Sequence, residues 1–225
     1  MDYYEGINEV LLGILPTDAR TVVEVGCAAG RFAAAYQAIN PNVRYIGIEL
    51  VENVAKKAAS QMSDVIVGNI EQDDIFAEFE AVLGDDEIDV LVFGDVLEHL
   101  VDPWKILSRF QILMAMDGCC VACIPNVSHW TIIADLIRGQ WNYAQEGLLD
   151  VTHLRFFTKD SMIALFQKTG WEVETMTGRC NFAPEETKKA LNVFSTFAPV
   201  LNVTPEQIQE NLMVYQWVIR ARCVV

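Results

Sequence analysis

The sequence predicts an α/β protein: a doubly wound, mostly parallel seven-stranded sheet with a helical insertion before the last strand. Two observations carry this reading. Between residues 21 and 124, five short apolar runs alternate with helical windows, the pattern of a parallel sheet covered on both faces. The closing segment VYQWVIRARC alternates instead, placing Tyr215, Trp217, Ile219, Ala221 and Cys223 on one face of a strand.

The elements follow in chain order. Helical apolar spacing over 3–14 gives a lead-in helix that Pro16 ends. Strand TVVEV (21–25) is β-branched, and helix 30–39 stops at Asn40-Pro41. Strand 43–49 precedes helix 51–60, strand 64–68 precedes helix 74–83, and strand 87–94 precedes a helix over 103–114. GCCVACI (118–124) is the fifth strand. Residues 129–138 read as helix, and RGQWNYAQEGLLDVTHLRFF as a long irregular connection too aromatic for disorder. Thr158 caps a helix to about Lys168, and WEVETMT (171–177) is the sixth strand. Two helices fill 178–213, the second opening on TPEQ, where Thr204 and Gln207 form a capping box around Pro205. That insertion is amphipathic enough for a lid or a dimer face, which allows a homodimer. With no repeat or linker, 1–225 reads as a single domain.

Composition narrows the partners. The chain has 225 residues, 52% hydrophobic, enough for a sizeable core. Its net charge of −15 provides no basic surface for nucleic acid or anionic membranes and favours a neutral or cationic small ligand. No apolar run reaches the ~18 residues of a membrane span. The acidic start MDYYEGINEV does not read as a signal peptide, so a cytoplasmic protein is expected. Cys120 and Cys123 form a C-x-x-C, but no second pair or H-x3-H completes a zinc site; they read as small hydrophobes of a buried strand, and no metal is expected.

The chemistry starts in EVGCAAG. The strand ends at Val25, Gly26 opens a turn, and Gly30 closes it where a helix starts with unpaired N–H groups. A dinucleotide fingerprint would need G-x-G-x-x-G, and Ala28 stands where its second glycine would be. Glu49 ends the second strand, 23 residues beyond Gly26, where an acid accepts both hydroxyls of a ribose. Asn69 and Ile70 follow the third strand with a polar group and an apolar side chain suited to an adenine ring. FGDVLEHL ends the fourth.

The ordered set VVEVGCAAGRF, YIGIE, VGNIE and DVLVFGDVLEHLVDP resembles the class I S-adenosylmethionine-dependent methyltransferases over about residues 20–177. The resemblance implies a Rossmann-like methyltransferase fold that takes S-adenosylmethionine and releases S-adenosylhomocysteine. It implies that Glu24, Gly26, Cys27 and Gly30 line the first motif, that Glu49 holds the ribose, that Asn69 and Ile70 flank the adenine, and that Asp95 and Val96 lie beside the cofactor. Two positions depart from the family: Ala28 replaces a common glycine, and Asn69 the more usual aspartate.

Methyl transfer from a sulfonium needs mainly in-line positioning, and an oxygen nucleophile also needs a base. The chain has three histidines. His153 is the preferred base, with Asp150 as its orienting partner and Arg155 as an anion or hydroxyl contact; tying the loop to the domain is the alternative for His153. His129, in PNVSHW, is the second choice of base, and His99 reads as structural or cofactor-side. The stretches PNVSHW…RGQW and LLDVTHLRFFTKDSMIALF are similar to a subgroup associated with polysaccharide and glycan biosynthesis, which implies a sugar hydroxyl as acceptor, with Trp130, Trp141 and Tyr143 available for stacking. The P-N-x-x-H-W element also resembles a non-catalytic methyltransferase-like accessory protein of methionine biosynthesis, which implies a partner enzyme instead. A small natural product is a third acceptor class.

Overall fold

A computed structural model of the chain describes residues 7–180 and 184–224. A seven-stranded sheet runs in the order β3-β2-β1-β4-β5-β7-β6. Its strands are β1 (Thr21–Val25), β2 (Arg44–Glu49), β3 (Asp64–Val67), β4 (Ile88–Gly94), β5 (Met114–Pro125), β6 (Trp171–Arg179) and β7 (Gln216–Cys223). β1 to β5 pair in parallel, and β7 is antiparallel to both β5 and β6. The helices are α1 (Glu9–Leu12), α2 (Arg31–Ile39), α3 (Glu52–Ala58), α4 (Asp73–Leu83), α5 (Pro103–Gln111), α6 (Trp130–Ile137), α7 (Lys159–Lys168), α8 (Pro184–Ser195), α9 (Ala198–Leu201) and α10 (Pro205–Met213). This is the doubly wound, mostly parallel sheet that the apolar runs predict.

Period-two alternation divides the strands between two cores. Val23 and Val25 face a cluster with Phe76, Phe79, Phe110 and Phe166, while Val22 faces Leu11, Ala33, Tyr36 and Ala58 on the other side. Phe76, Phe79 and Phe110 meet at centroid distances of 5.2–5.6 Å. Each of these buried rings contributes about 1.5–3 kcal/mol by leaving water.

Several boundaries differ from expectation for local reasons. Residues 3–6 of the lead-in helix lie outside the described residues; the described part forms only α1, capped by Asn8 on the Leu11 N–H at 3.1 Å. α5 ends at Gln111 and β5 begins at Met114, because Met114 pairs with Ile88 and the Ile88 N–H takes the Leu113 carbonyl at 3.0 Å. The insertion holds the short α9 between its two longer helices. Both expected caps form: Thr158 on α7, reciprocally with Ser161, and the Thr204–Gln207 box on α10.

Crossovers bring the loops after β1, β2, β3, β4 and β5 to one sheet edge. Two polar groups lock that edge. Buried Asn126 donates its amide to the carbonyls of Asn211 and Val214, both at 2.8 Å, and so ties β5 to the end of the insertion. Glu71 accepts from the Val101 and Asp102 N–H groups at 3.0 and 2.7 Å, joining the loops after β3 and β4.

Candidate functional site

The turn after β1 is left-handed three times, at Gly26 (φ 73°), Ala28 (φ 47°) and Gly30 (φ 79°). Ala28 takes the αL conformation despite its Cβ, a strain of about 1–3 kcal/mol that the surroundings must hold. They do so through Glu49, whose Oε2 accepts the Ala28 N–H at 3.0 Å and whose Oε1 accepts the Val51 N–H at 2.9 Å. The missing glycine therefore leaves the turn's shape intact. Gly26 is irreplaceable on a second count: a Cβ there would lie 2.5 Å from Val96 Cγ2. Glycine at 30 lets the turn pack on the end of α3, where a Cβ would meet Gln61 at 3.0 Å and the Ala58 Cα at 3.1 Å.

Glu24 and Cys27 sit deeper. Tyr45 donates its hydroxyl to Glu24 Oε2 at 2.9 Å, and burial pushes the Glu24 carboxyl from 4.5 up to about 8, against the pull of that hydrogen bond. Cys27 is buried, and its thiol is pushed up by the same desolvation. A pKa higher in the folded state means that the folded chain keeps a proton the unfolded chain releases. Glu24's contribution is therefore fully present below about pH 4.5 and is lost as pH rises to about 8. Glu24→Gln, which keeps an acceptor for Tyr45, is expected to flatten that fall and to exceed the parent at pH 8.5 by up to about 4 kcal/mol. Urea midpoints at pH 4.5 and 8.5 measure this; parallel pH profiles for the two proteins would contradict it.

After β3, Asn69 Oδ1 accepts the Glu71 N–H at 2.9 Å, shaping the loop, and Ile70 is buried in the core beneath it. After β4, Asp95 is a second non-glycine residue in the left-handed region (φ 57°). A network running from β6 across β7 holds it there: Arg179 donates to Gln216 Oε1 at 2.7 Å, and the Gln216 amide donates to Asp95 Oδ1. Burial raises Asp95 to about 6, with Arg179 pulling the other way.

Beside Asp95 opens a cleft of about 370 Å³, lined by Asp95, Glu98, Glu146, Asp150, His153 and Tyr215 among others. Glu98 belongs to the 3-10 turn Leu97–His99 and is 1% exposed. Neither of its carboxylate oxygens has a hydrogen-bond partner. Burial raises its pKa well above the ordinary value, and Asp95 and Asp150 add to the shift. The Glu98 carbonyl accepts the N–H groups of Leu154 and Arg155 at 2.8 and 2.9 Å, which docks the irregular connection against this turn.

The docking puts His153 Nε2 4.0 Å from Glu98 Oε1. Its Nδ1 faces the Leu148 carbonyl at 3.3 Å, and burial lowers its pKa. Asp150 is turned elsewhere: its Oδ1 accepts the Thr152 N–H at 2.7 Å and hydroxyl at 2.6 Å, so the Leu148 carbonyl takes the orienting place expected of Asp150. Arg155 donates to the Val101 carbonyl instead of facing an anion in the cleft. His129 is fully buried as the cap of α6, with Nδ1 2.8 Å from the Thr131 hydroxyl, and burial holds it near 4. Val96 leans on the Gly26 turn, which brings the first and fourth motifs together.

Two elements escape the sequence reading. Glu98 has little signal because VLEHL looks like one turn of an ordinary helix, though an acid between the apolar Leu97 and Leu100 is a mark of its own. The Arg179–Gln216–Asp95 network joins residues far apart in the chain, and no spacing rule announces it.

Residues 4–176, roughly three quarters of the chain, match the family described as Methyltransferase domain. Among solved structures, the chain is similar to an S-adenosylmethionine-dependent methyltransferase from Mesorhizobium loti, with 15% identity, coverage of 95% of this chain and 96% of that one, and a TM-score of 0.60. It is also similar to a TehB-like SAM-dependent methyltransferase from Corynebacterium glutamicum (12% identity, 96% and 85% coverage, TM-score 0.55). The mitomycin 7-O-methyltransferase MmcR aligns at 17% identity and a TM-score of 0.57 over 95% of this chain but 52% of its own length. No curated protein sequence matches. At these identities the solved structures speak for the fold, and the sequence match carries the assignment: the chain belongs to the methyltransferase-domain family.

Proposed function

We propose that the chain transfers a methyl group from S-adenosylmethionine to a hydroxyl of a neutral sugar or glycan intermediate bound in the cleft beside Asp95. The observation that carries this reading is the adjacency of two preformed parts. Glu49 and the strained Gly26–Gly30 turn make a nucleoside-and-methionine cradle, and Gly26 touches Val96, next to the Asp95 that lines the cleft. Glu24 lies under the turn toward the methionine end, while Asn69 edges the adenine end and Ile70 packs in the core beneath it instead of flanking the ring. The sulfonium methyl then faces the cleft. An acceptor oxygen attacks the methyl carbon, the C–S electron pair returns to sulfur, and the hydroxyl proton passes to His153, whose Nδ1 is held by Leu148 so that Nε2 is free to receive it.

The chemistry of the lining supports a polyhydroxyl acceptor. Four carboxyl groups, Asp95, Glu98, Glu146 and Asp150, offer hydrogen-bonding partners to hydroxyls, and Asp150, whose pKa burial pushes up but its Thr152 hydrogen bonds hold below the ordinary value, repels phosphate. Trp141 stacks edge-on to Phe156 at 5.2 Å, and Tyr143 is exposed beside it, an aromatic wall near His153. β6 runs to Arg179, two residues beyond the expected strand end, and the insertion that follows it serves as lid or self-association face in the same proposal, supported by the exposed Phe197, Val200 and Leu201. The test is transfer of labelled methyl from S-adenosylmethionine to panels of neutral sugars, sugar phosphates and amines. Label in a neutral sugar ether is the expected result; label only in amines or phosphorylated acceptors would contradict it.

A further inference from the structure

The least satisfied group in the cleft is also the best aimed. Glu98 is buried with both carboxylate oxygens lacking a hydrogen-bond partner, an arrangement that is costly unless a cation compensates it. One donor atom from each of Glu98, His99 and His153 lies within 4.8 Å of the other two. The two imidazoles meet edge to face at 4.7 Å between centroids. Each histidine has its Nδ1 near a backbone carbonyl, His99 near that of Thr152 at 3.2 Å, with the Thr152 hydroxyl also at 3.2 Å, and His153 near that of Leu148 at 3.3 Å. The tautomer that donates from Nδ1 to the carbonyl carries its lone pair on Nε2, the outer support that metal-bound histidines receive.

We infer that Glu98, His99 and His153 form a binding site for one divalent first-row transition-metal ion at the wall of the cleft. Two imidazoles and one carboxylate suit such an ion and leave coordination positions open. Ligand atoms around an ion at about 2.0–2.2 Å stand roughly 3 Å apart, so binding draws the three side chains together by about 1 Å each. The two N–H groups that Glu98's carbonyl accepts from Leu154 and Arg155 keep the 3-10 turn and the His153 loop in register while this happens. Both neighbouring acids are already engaged, Asp95 by Gln216 and Asp150 by Thr152, which leaves Glu98 as the carboxylate ligand.

This inference rests on the proposed methyl transfer and names its activating group. Glu98 and His153 line the cleft, so a bound ion would supply Lewis acidity to an acceptor there bearing two neighbouring oxygens, a vicinal diol, and would lower the pKa of its hydroxyl. With the ion bound, the acceptor hydroxyl would give its proton to solvent, its oxygen would bond to the methyl carbon, and the C–S electron pair would leave on the neutral thioether. His153 would then hold the ion instead of taking the proton, as it does in the metal-free site.

The test uses the full chain stripped with chelator and titrated with Co²⁺, read by its visible d–d absorption, with elemental analysis of the chain after loading with Zn²⁺ or Mn²⁺. One equivalent per chain is expected, with at least a 10-fold loss of Co²⁺ affinity in Glu98→Gln and in His99→Ala. His99 is only partly buried, so the second variant remains informative if the first unfolds, and far-UV circular dichroism reports folding of both. No stoichiometric Co²⁺ band, or a band unchanged in both folded variants, overturns the site. Methyl transfer at full rate by metal-free protein overturns it while leaving the transferase reading intact. Co²⁺ binding with no S-adenosylhomocysteine binding would instead overturn the transferase reading alone.

Discussion

Glu49→Ala is expected to weaken S-adenosylmethionine binding by about 100-fold or more. The carboxylate is anchored at both oxygens before any ligand arrives, by Ala28 N–H at 3.0 Å and Val51 N–H at 2.9 Å. In the proposed site its remaining lone pairs would meet a ribose in a fixed direction, and two charge-assisted hydrogen bonds of roughly 1.5–3 kcal/mol each are at stake. The alanine variant also removes the acceptor that stabilises the αL conformation of Ala28, so the turn itself loosens. Glu49→Gln keeps the shape and one acceptor oxygen, and should fall between the two. Equilibrium dialysis with labelled cofactor measures the series; affinity of the alanine variant within 3-fold of the parent would remove Glu49 from the cofactor site.

His153→Ala is expected to lower methyl transfer by about 10²- to 10⁴-fold while leaving the Kd for S-adenosylhomocysteine within about 2-fold. The split follows from position. His153 hangs on the loop across the cleft, held by Leu148 and facing Glu98, and does not contribute to the glycine turn. It stands at this point whether it takes the proton itself or holds a metal ion that replaces that step. His129→Ala should behave oppositely, because the buried imidazole caps α6 and contacts Tyr215 edge-on at 5.6 Å without lining the cleft. Its cost falls on stability. Single-turnover rates with saturating cofactor separate the two; full turnover in His153→Ala would deny that residue any part in the chemistry.

The contrast between these histidines shows what could be read from the chain alone. Buried parallel strands need β-branched runs on both faces, so TVVEV and IDVLVFG announce themselves, and their order sets where the loops gather. The glycine turn was legible because its left-handed positions and close backbone approach demand a residue type, and Glu49 because it ends the strand beside that turn. Spacing in GLLDVTH failed differently. Asp150 and His153 are near neighbours in the chain, but the short Asp150 side chain satisfies Thr152 within its own turn, a local bond that competes with any longer reach. Glu98 and His153 meet because the loop's N–H groups pair with a carbonyl on the 3-10 turn, a backbone contact without a sequence signature. The start of β5 at Met114 was hidden for the same reason, since pairing with Ile88 overrides helical spacing.

Whether the strained turn and Glu49 hold S-adenosylmethionine is tested most directly by calorimetric titration. The folded chain is titrated with S-adenosylmethionine and S-adenosylhomocysteine, with Glu49→Ala alongside. The expected result is one equivalent of each per chain, with the heat lost in the variant. A chain that melts cooperatively yet gives no heat with either ligand would contradict the central claim.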